Sequence, residues 1–341
     1  MTMRHKRCIR INGYNNRMAS ITIPANREQH PNLRPLSILR DLPTVADLIE
    51  LCFSNTMDSE GKRYVQELRR AGNANSFIQL ANRAADATSL PLTGYIWEEN
   101  GHIIGNASLV PFRHNKQRIY LIANVAVHPS HRRKGIGLAL TERALQHARE
   151  KKVNNIWLHV RDDNPEAVEL YTKLGFTKRA RRTSWQAATD LQAPRRETNI
   201  ALTNRHAHFW QTQLNWLARL YPSSLAWHRD WNFNSLRPGL WSWLYLFFVD
   251  VNTRQWAAVR NGSLQATLSW IPNGRGESLY AAAGEKSDPE ALTALLIQAR
   301  RELFHVHPKI ALEFPVSEFD DAIRAAGFKP LRTLIWMQAT S

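Results

Sequence analysis

The stretch Arg132-Arg133-Lys134-Gly135-Ile136-Gly137 lies between an apolar, strand-like run at 119–127 and a clean helical pattern at 138–152. A strand that leads through glycines into a helix is typical of a phosphate site, because helix N-termini present unpaired N–H groups and the positive end of the helix dipole. Gly135 and Gly137 have no Cβ, so a diphosphate can approach the main chain closely. The three adjacent cations add favourable charge. The stretch therefore predicts a diphosphate site, and the sequence on either side decides how specific that prediction is.

The surrounding sequence predicts strands first in hairpins and then in alternation with helices, an order that implies an α+β fold with a mixed sheet covered by helices. Asn100-Gly101 is a strong signal for a two-residue hairpin. The predicted elements of the first half are a strand at 36–39, helices from 41 and at 61–71, strands at 94–97, 102–110 and 119–127, a helix at 138–152, a strand at 156–160, a helix at 165–174 and a strand after Gly175.

The second half repeats this plan. Asn261-Gly262 predicts a second hairpin, and Ala326-Gly327-Phe328 stands where Leu174-Gly175-Phe176 stands in the first half. Repetition of one element order indicates a tandem duplication. The expected organisation is a disordered basic tail at 1–30, a first domain at 31–187, a linker at 188–199 and a second domain at 200–341.

Composition narrows the class of protein. The 341 residues carry a net charge of +16, of which residues 1–199 hold +13 from 31 basic and 18 acidic residues. Such a surplus suits an anionic ligand or simply a basic surface. Only two cysteines occur, and no apolar run reaches membrane-spanning length, so we expect a cytoplasmic protein with no membrane partner.

Three motifs in order carry a family resemblance. They are Asn124-Val125-Ala126-Val127-His128-Pro129, then Arg132-x-x-Gly135-x-Gly137, then Asn164-Pro165-x-Ala167-x-x-x-Tyr171-x-x-x-Gly175-Phe176. Together they resemble the GCN5-related N-acetyltransferase (GNAT) superfamily over roughly residues 33–186. The resemblance implies two tandem GNAT-like domains, each a mostly antiparallel sheet with one splayed strand pair and flanking helices.

The resemblance also implies acetyl-CoA as cosubstrate. The splayed strand would pair its main chain with the pantetheine arm, the glycine turn would hold the diphosphate, and Asn164 would cap a helix and contact the pantetheine. The residues implied in cofactor binding are Val125, Ala126, Val127, Arg132, Arg133, Lys134, Gly135, Ile136, Gly137, Asn164 and Tyr171.

Two side chains are candidates for proton transfer. In many relatives the tyrosine that matches Tyr171 is the general acid that protonates the departing thiolate; the alternative is an aromatic residue packed beside the cofactor. His159 stands twelve residues before it, where the ribosomal-protein acetyltransferases that this half resembles carry a glutamate base. A histidine can accept a proton near neutral pH, but it can also line the acceptor pocket or pack in the strand.

The second half lacks the signals for cofactor binding. Its matching loop, 283–289, has no Gly-x-Gly and carries acids, and Ile323 replaces the tyrosine. We expect a degenerate copy that supports the first half and shapes the acceptor site. The predicted function is acetyl transfer to a primary amine, with a small molecule favoured over a protein N-terminus or lysine. The alternatives are a CoA-binding regulatory protein and a basic nucleic-acid-associated protein, of which the latter is not favoured. We expect no metal, and a monomer or homodimer.

Overall fold

The computed structural model describes residues 30–71, 93–188, 199–228, 231, 233–239, 253–272, 277–303 and 310–339. Two of the predicted segments, the tail at 1–30 and the linker at 188–199, lie almost wholly outside these residues. The domain boundaries therefore stay a prediction. Asn32–Ser341 forms one compact unit.

The first half runs from a short edge strand to a long central one. Its strands are β1 (Leu33–Pro35), β2 (Thr93–Glu99), β3 (His102–His114), β4 (Gln117–Val127), β5 (Asn155–Arg161) and β6 (Phe176–Ala187). Its helices are α1 (Ile38–Phe53), α2 (Ser59–Ala71), α3 (Ile136–Glu150) and α4 (Pro165–Lys173).

The second half follows with the same order after its first helix. Its strands are β7 (Ala201–Asn204), β8 (Arg254–Arg260), β9 (Ser263–Ile271), β10 (Glu277–Ala283), β11 (Ile310–Pro315) and β12 (Phe328–Ala339). Its helices are α5 (Trp210–Leu220), α6 (Pro289–Leu303) and α7 (Asp320–Ala325). The internal repeat predicted from sequence is thus visible in the order of elements, which supports the tandem interpretation.

All twelve strands form one continuous sheet, in the order β1-β2-β3-β4-β5-β12-β6-β11-β10-β9-β8-β7. The halves exchange their last strands: β12 pairs with β5, β6 pairs with β11, and β6 and β12 pair with each other, all antiparallel. The sequence does not predict this exchange, because nothing local distinguishes a strand that pairs within its own half from one that crosses over.

The two Asn-Gly hairpins are confirmed. Asn100 and Gly101 have φ values of 51° and 79°, and Asn261 and Gly262 have φ values of 51° and 76°. Positive φ at both central positions is the requirement of the type I′ turn that suits twisted hairpins. Each hairpin also carries one register shift, in β2·β3 and in β8·β9.

The prediction of a strand at 36–39 is wrong. The strand ends at Pro35, and α1 begins at Ile38, three residues before the predicted helix start. The reason is a hydrogen bond from the N-cap residue to a side chain four residues later: the Ser37 backbone N–H donates to the Asp41 carboxylate at 2.7 Å. This bond satisfies an N–H group at the helix start and draws Ile38 and Leu39 into the first turn.

Helix α3 packs on β2, β3 and β4 and so places the glycine turn. Its buried stripe consists of Ile136, Leu140, Ala144 and Ala148, four residues apart. A Cβ added to Gly105 of β3 would lie 2.9 Å from the Leu140 side chain and 3.0 Å from Ile136, so this glycine permits the close approach of the helix. No helix of the described ranges is long and apolar enough to cross a membrane.

Candidate functional site

The site begins where β4 and β5 separate. The two strands are parallel and pair at four positions, of which the last is Ile122 with Leu158. Beyond that pair β4 continues to Val127 and β5 to Arg161, while β5 stays paired on its other edge with β12. Within the described residues no ladder joins these two strand ends, so a V-shaped opening lies between them.

A bulge reshapes the β4 side of this opening. Asn106 pairs with Ala126 and Ser108 with Ala123, so two residues of β4, Asn124 and Val125, stand opposite Ala107 alone. Asn124 adopts the left-handed conformation, with φ of 52°. Such a bulge turns backbone groups away from the regular ladder. The residues predicted to bind pantetheine, 125–127, therefore begin within the bulge and continue along the edge of the opening.

The glycine turn lies beside the end of β4, where a Cβ added to Gly137 would be 3.7 Å from the Val127 side chain. Gly135 is the N-cap residue of α3 and has φ of 79°, a conformation that favours glycine. Gly137 has no such requirement, and its added Cβ would make only ordinary contacts. Arg132, Arg133, Lys134 and Gly135 are exposed. In the described parts of the chain, no group accepts a hydrogen bond from the backbone N–H groups of residues 133–137. The turn thus combines available donors with exposed positive charge, which fits an anionic ligand.

Neighbouring contacts hold this turn in place. The Arg132 Nε atom donates to the Val127 carbonyl oxygen at 3.2 Å, and the Cys52 thiol approaches the same oxygen at 3.3 Å. Arg133 forms an ion pair with Glu166 in the first turn of α4. The predicted cap is present, since the Asn164 side-chain oxygen accepts from the Ala167 N–H at 3.1 Å.

Tyr171 lies in α4 and is buried, with its ring edge-on to Phe176 at 6.1 Å. Burial raises the pKa of its phenol to about 12. The hydroxyl therefore keeps its proton throughout the neutral range, as a general acid must before it acts and as a general base cannot.

His159 is half-buried on β5 at the first position past the last β4·β5 pair. Three aromatic rings surround it. The centroid of its ring lies 4.1 Å from that of Trp336, 4.7 Å from His228 and 6.1 Å from Trp227. All three residues belong to the second half, Trp336 on β12 and the other two after α5. The second half therefore supplies the walls around His159. Trp157 also contacts Trp227, so Trp157 and His159 lie on the same face of β5.

The sequence did not place these three aromatic residues at His159, and it gave no sign of one polar contact. The Asn124 side-chain amide donates to the Tyr64 hydroxyl of α2 at 2.6 Å. Burial raises the pKa of that phenol to about 12. Gly175 and Gly327 stand 152 positions apart, and the same spacing makes Ser184 of β6 the equivalent of Trp336 in β12. This spacing alone does not predict that Trp336 contacts His159, because the contact depends on the exchange of the last strands.

The second half has the same strand separation but a different interior. Its parallel pair β10·β11 ends at Leu279 with Leu312, and β9·β10 runs without the bulge of the first half. Side chains donate hydrogen bonds to the backbone carbonyl oxygens of this opening. The Tyr221 hydroxyl donates to the Ala281 carbonyl at 3.2 Å, and Arg219 donates to the Ala283 carbonyl at 2.7 Å.

The loop of the second half uses several of its N–H groups internally. The Gly284 N–H donates to the Ser287 hydroxyl at 2.8 Å, and the Asp288 N–H donates to the Gln265 side-chain oxygen at 3.2 Å. Glu313 holds the position that His159 holds in the first half, one residue beyond the last parallel pair, and it pairs with Arg182 at 2.8 Å. Some of the groups that are available in the first half are therefore engaged here.

Metal chemistry finds no support in the side chains. The described residues contain no group of three or more His, Cys, Asp and Glu side chains arranged to hold a metal ion. His128 and His131 contact Ser130, at 2.7 Å and 2.9 Å, in the turn before the glycine stretch.

The strand separation and the glycine turn before α3 agree with the GNAT resemblance of the sequence, and residues 55–176 match the acetyltransferase (GNAT) family. A crystal structure titled as a GCN5-related N-acetyltransferase from Sphaerobacter thermophilus shares the fold over 91% of this chain and 96% of its own, with a TM-score of 0.51 and 13% identity.

Among curated proteins, the chain is similar to the [ribosomal protein bS18]-alanine N-acetyltransferase of Escherichia coli K12, at 37% identity over 67 residues, 20% of this chain and 45% of that one. It is also similar to a mycothiol acetyltransferase of Catenulispora acidiphila, at 41% identity over 56 residues, 16% of this chain and 18% of that protein. The matched part spans less than half the length of these relatives.

Proposed function

We propose that the protein is an N-acetyltransferase that moves an acetyl group from acetyl-CoA to a primary amine within a ternary complex. The observation that carries this proposal is the contrast between the two glycine-turn regions. The first has available backbone N–H groups at 133–137 beside an open strand pair, and the second has several of its loop N–H groups bonded internally. Among the described residues, the first half is the one that combines such donors with adjacent exposed cations, as a CoA diphosphate requires.

The side chains of the first half supply proton transfer. Acetyl-CoA brings the acyl group as an activated thioester. The amine nucleophile must lose a proton to attack, because the pKa of a free alkylamine lies near 10. His159 accepts that proton, since it lies at the strand separation on the face that Trp227 and Trp336 enclose. Tyr171 holds a proton on its hydroxyl oxygen for the departing thiolate.

The second half serves as a structural partner in this proposal. It contributes Trp336, Trp227 and His228 to the walls around His159, while Tyr221 and Arg219 fill its own strand opening. We therefore propose that one chain binds one CoA, in the first half.

The test compares two glycines that have the same backbone conformation. Gly135 and Gly101 both have φ of 79°, and an added Cβ would meet nothing within 4 Å at either position. Gly135→Val and Gly101→Val therefore impose similar backbone strain. We expect Gly135→Val to weaken CoA binding by at least about 100-fold in titration calorimetry and to abolish acetyl transfer to an amine panel, because the displaced turn loses its aligned diphosphate donors.

Gly101→Val should retain both activities, because the β2·β3 turn lies outside the proposed CoA-binding region. Equal CoA affinity in the two variants would contradict the assignment of the diphosphate turn. CoA binding with no transfer to small amines, peptide N-termini or lysines would instead favour a regulatory CoA-binding protein. The relatives are named for a ribosomal protein alanine and for mycothiol, so a protein N-terminus and a small molecule both belong in the panel.

A further inference from the structure

A second cavity is lined by Arg182, the partner of Glu313, which is the second half's counterpart of His159. Its volume is about 890 Å³, and it is bounded by β5, β6, β12 and the segment that follows α5. Four of its lining side chains are the arginines Arg179, Arg181, Arg182 and Arg219, and four more are amides, among them Asn155 and Gln338. Among the residues that the structure describes, no aspartate or glutamate lines it. We name this space the arginine cavity.

A matched pair of bulges places Arg179 at this cavity. In β6·β12, Lys178 pairs with Met337 and Ala180 with Trp336, so Arg179 is an extra residue. A second shift in the same ladder lies on β12, where Pro330 pairs with Trp185 and Arg332 with Ser184. Leu331 is therefore the extra residue there, 152 positions after Arg179. The bulges are thus related by the internal repeat, but one carries a cation and the other an apolar side chain. The fold supplies the bulge, and the sequence of the first half supplies its charge.

The arginines differ in how firmly they are engaged. Arg182 is almost fully buried and fixed by Glu313 and by the Leu220 carbonyl at 2.7 Å. Arg181 and Arg219 form ion pairs at the surface with Asp162 and Glu285, and Arg219 also donates to the Ala283 carbonyl at 2.7 Å. Such exposed pairs contribute only about 0–1 kcal/mol, so a ligand can displace them at small cost.

Arg179 has a neutral partner, the Gln338 side-chain oxygen at 3.0 Å. Its guanidinium charge is therefore available to an anion in the cavity. Arg179, Arg181 and Arg219 all line the same cavity. A planar guanidinium group can donate two parallel hydrogen bonds to a carboxylate or phosphate. Trp157 and Trp227 provide an apolar wall at the same space.

We propose that the arginine cavity binds a small polyanion that carries two or more phosphate or carboxylate groups, held by Arg179, Arg181 and Arg219. Arg182, which Glu313 holds in place, forms the fixed floor of this site. The site is separate from the glycine turn at 133–137, and the proposal stands whether or not the chain transfers acetyl groups.

The experiment uses the full chain with inorganic pyrophosphate and citrate as probes, one for each source of anionic groups. Binding is measured by titration calorimetry. Phenylglyoxal modification, followed by peptide mass spectrometry, then reports which arginines each probe protects. We expect at least one probe to bind and to protect Arg179, Arg181 and Arg219 together, because all three would share the ligand.

Variants sharpen the result. Arg179→Gln and Arg219→Gln should each weaken binding about tenfold or more, as expected for loss of a charge-assisted hydrogen bond. Arg301→Gln, an exposed arginine on α6 away from the cavity, is the matched control and should leave affinity unchanged. The proposal is overturned if neither probe binds, if protection falls only on Arg132 and Arg133, or if the control loses as much affinity as the cavity variants.

Discussion

Single side chains carry most of the proposed chemistry, and His159 is the one whose role the environment defines most sharply. Its ring lies against Trp336 and near Trp227, both almost fully buried, so it sits at an apolar wall rather than in open solvent. Removing it changes either proton transfer or the shape of the acceptor pocket. These two effects separate in kinetics, because proton transfer affects kcat and pocket shape affects KM.

We expect His159→Gln to lower kcat by about 10² to 10⁴ with little change in the KM for the amine, as expected when a general base is lost. Steady-state kinetics with the best acceptor of the panel measure this. Trp227→Phe is the companion variant, and it should raise the KM with kcat within a few-fold of the original. A His159→Gln enzyme that keeps its kcat and changes only the KM would assign the histidine to the pocket wall.

Tyr171 illustrates what the sequence could and could not tell. Its identity and its spacing from Asn164 and His159 are readable from the chain, and they match the resemblance. Burial raises the pKa of the phenol to about 12. A phenol of ordinary pKa, near 10, is already protonated at neutral pH. Burial is a tertiary property, so only the further rise of the pKa required the structure.

Among the elements, α1 depends on one buried carboxylate. Arg34 donates to both Asp41 oxygens, at 2.7 Å and 3.0 Å, and the Ser37 N–H and Arg40 donate as well. Burial alone would raise the pKa of this carboxyl, but the hydrogen bonds from Arg34, Ser37 and Arg40 lower it to about 2. The helix start, the β1 strand and β2 are joined through this group, because Arg34 also bonds Glu98.

A lowered pKa in the folded state means that the charged carboxylate stabilises the fold above the unfolded pKa near 4, and that this contribution is lost as the pH falls toward 2. Asp41→Asn should therefore lower the free energy of unfolding by about 2 kcal/mol at pH 7. In urea unfolding, the difference from the original protein should shrink as the pH falls below about 4.

Asp47→Asn is the control for that prediction, because Asp47 pairs with Arg69 at an exposed position. It should change the free energy of unfolding by no more than about 0.5 kcal/mol at either pH. A constant penalty for Asp41→Asn across the pH range would show that the amide fails for steric reasons rather than through the lost charge.

The glycine turn and the β4 bulge show how local signals and long-range packing combine. The turn was predicted from Gly135 and its neighbours, because a left-handed residue before a helix leaves a local signature. The bulge at Asn124 was not predicted, since two residues facing one is a property of pairing between strands. The same limit explains the error at 36–39, where apolar residues suit a strand or a first helical turn equally and the Asp41 cap decides.

The molecule as a whole depends on the exchange of last strands. β5 has β12 as its outer neighbour, and β11 has β6, so neither half completes its own sheet. Buried charge follows the exchange: Arg182 of β6 pairs with Glu313 of β11. A half without its partner would expose a strand edge and leave this arginine unpaired, both of which are costly.

We expect a fragment that ends at residue 188 to aggregate or to melt without cooperativity in circular dichroism, while co-expression with 199–341 restores a cooperative transition. The control is the full chain with a protease site placed within 189–198. After cleavage it should stay associated in gel filtration and melt close to the intact protein, because the strands and not the connection hold the halves. A monomeric first fragment with the melting temperature of the full chain would contradict this dependence.

Local sequence was enough for the hairpins at 100–101 and 261–262, the glycine turn, the α3 stripe and the repeat of element order, because each rests on neighbouring residues and their backbone preferences. The GNAT motifs with their spacing were likewise present in the chain itself. Tertiary structure alone decided the strand exchange, the aromatic walls around His159, the filled opening of the second half and the arginine cavity. These features join residues that lie far apart in the chain, and pairing across such distances is chosen by the fit of whole surfaces, which no local pattern encodes.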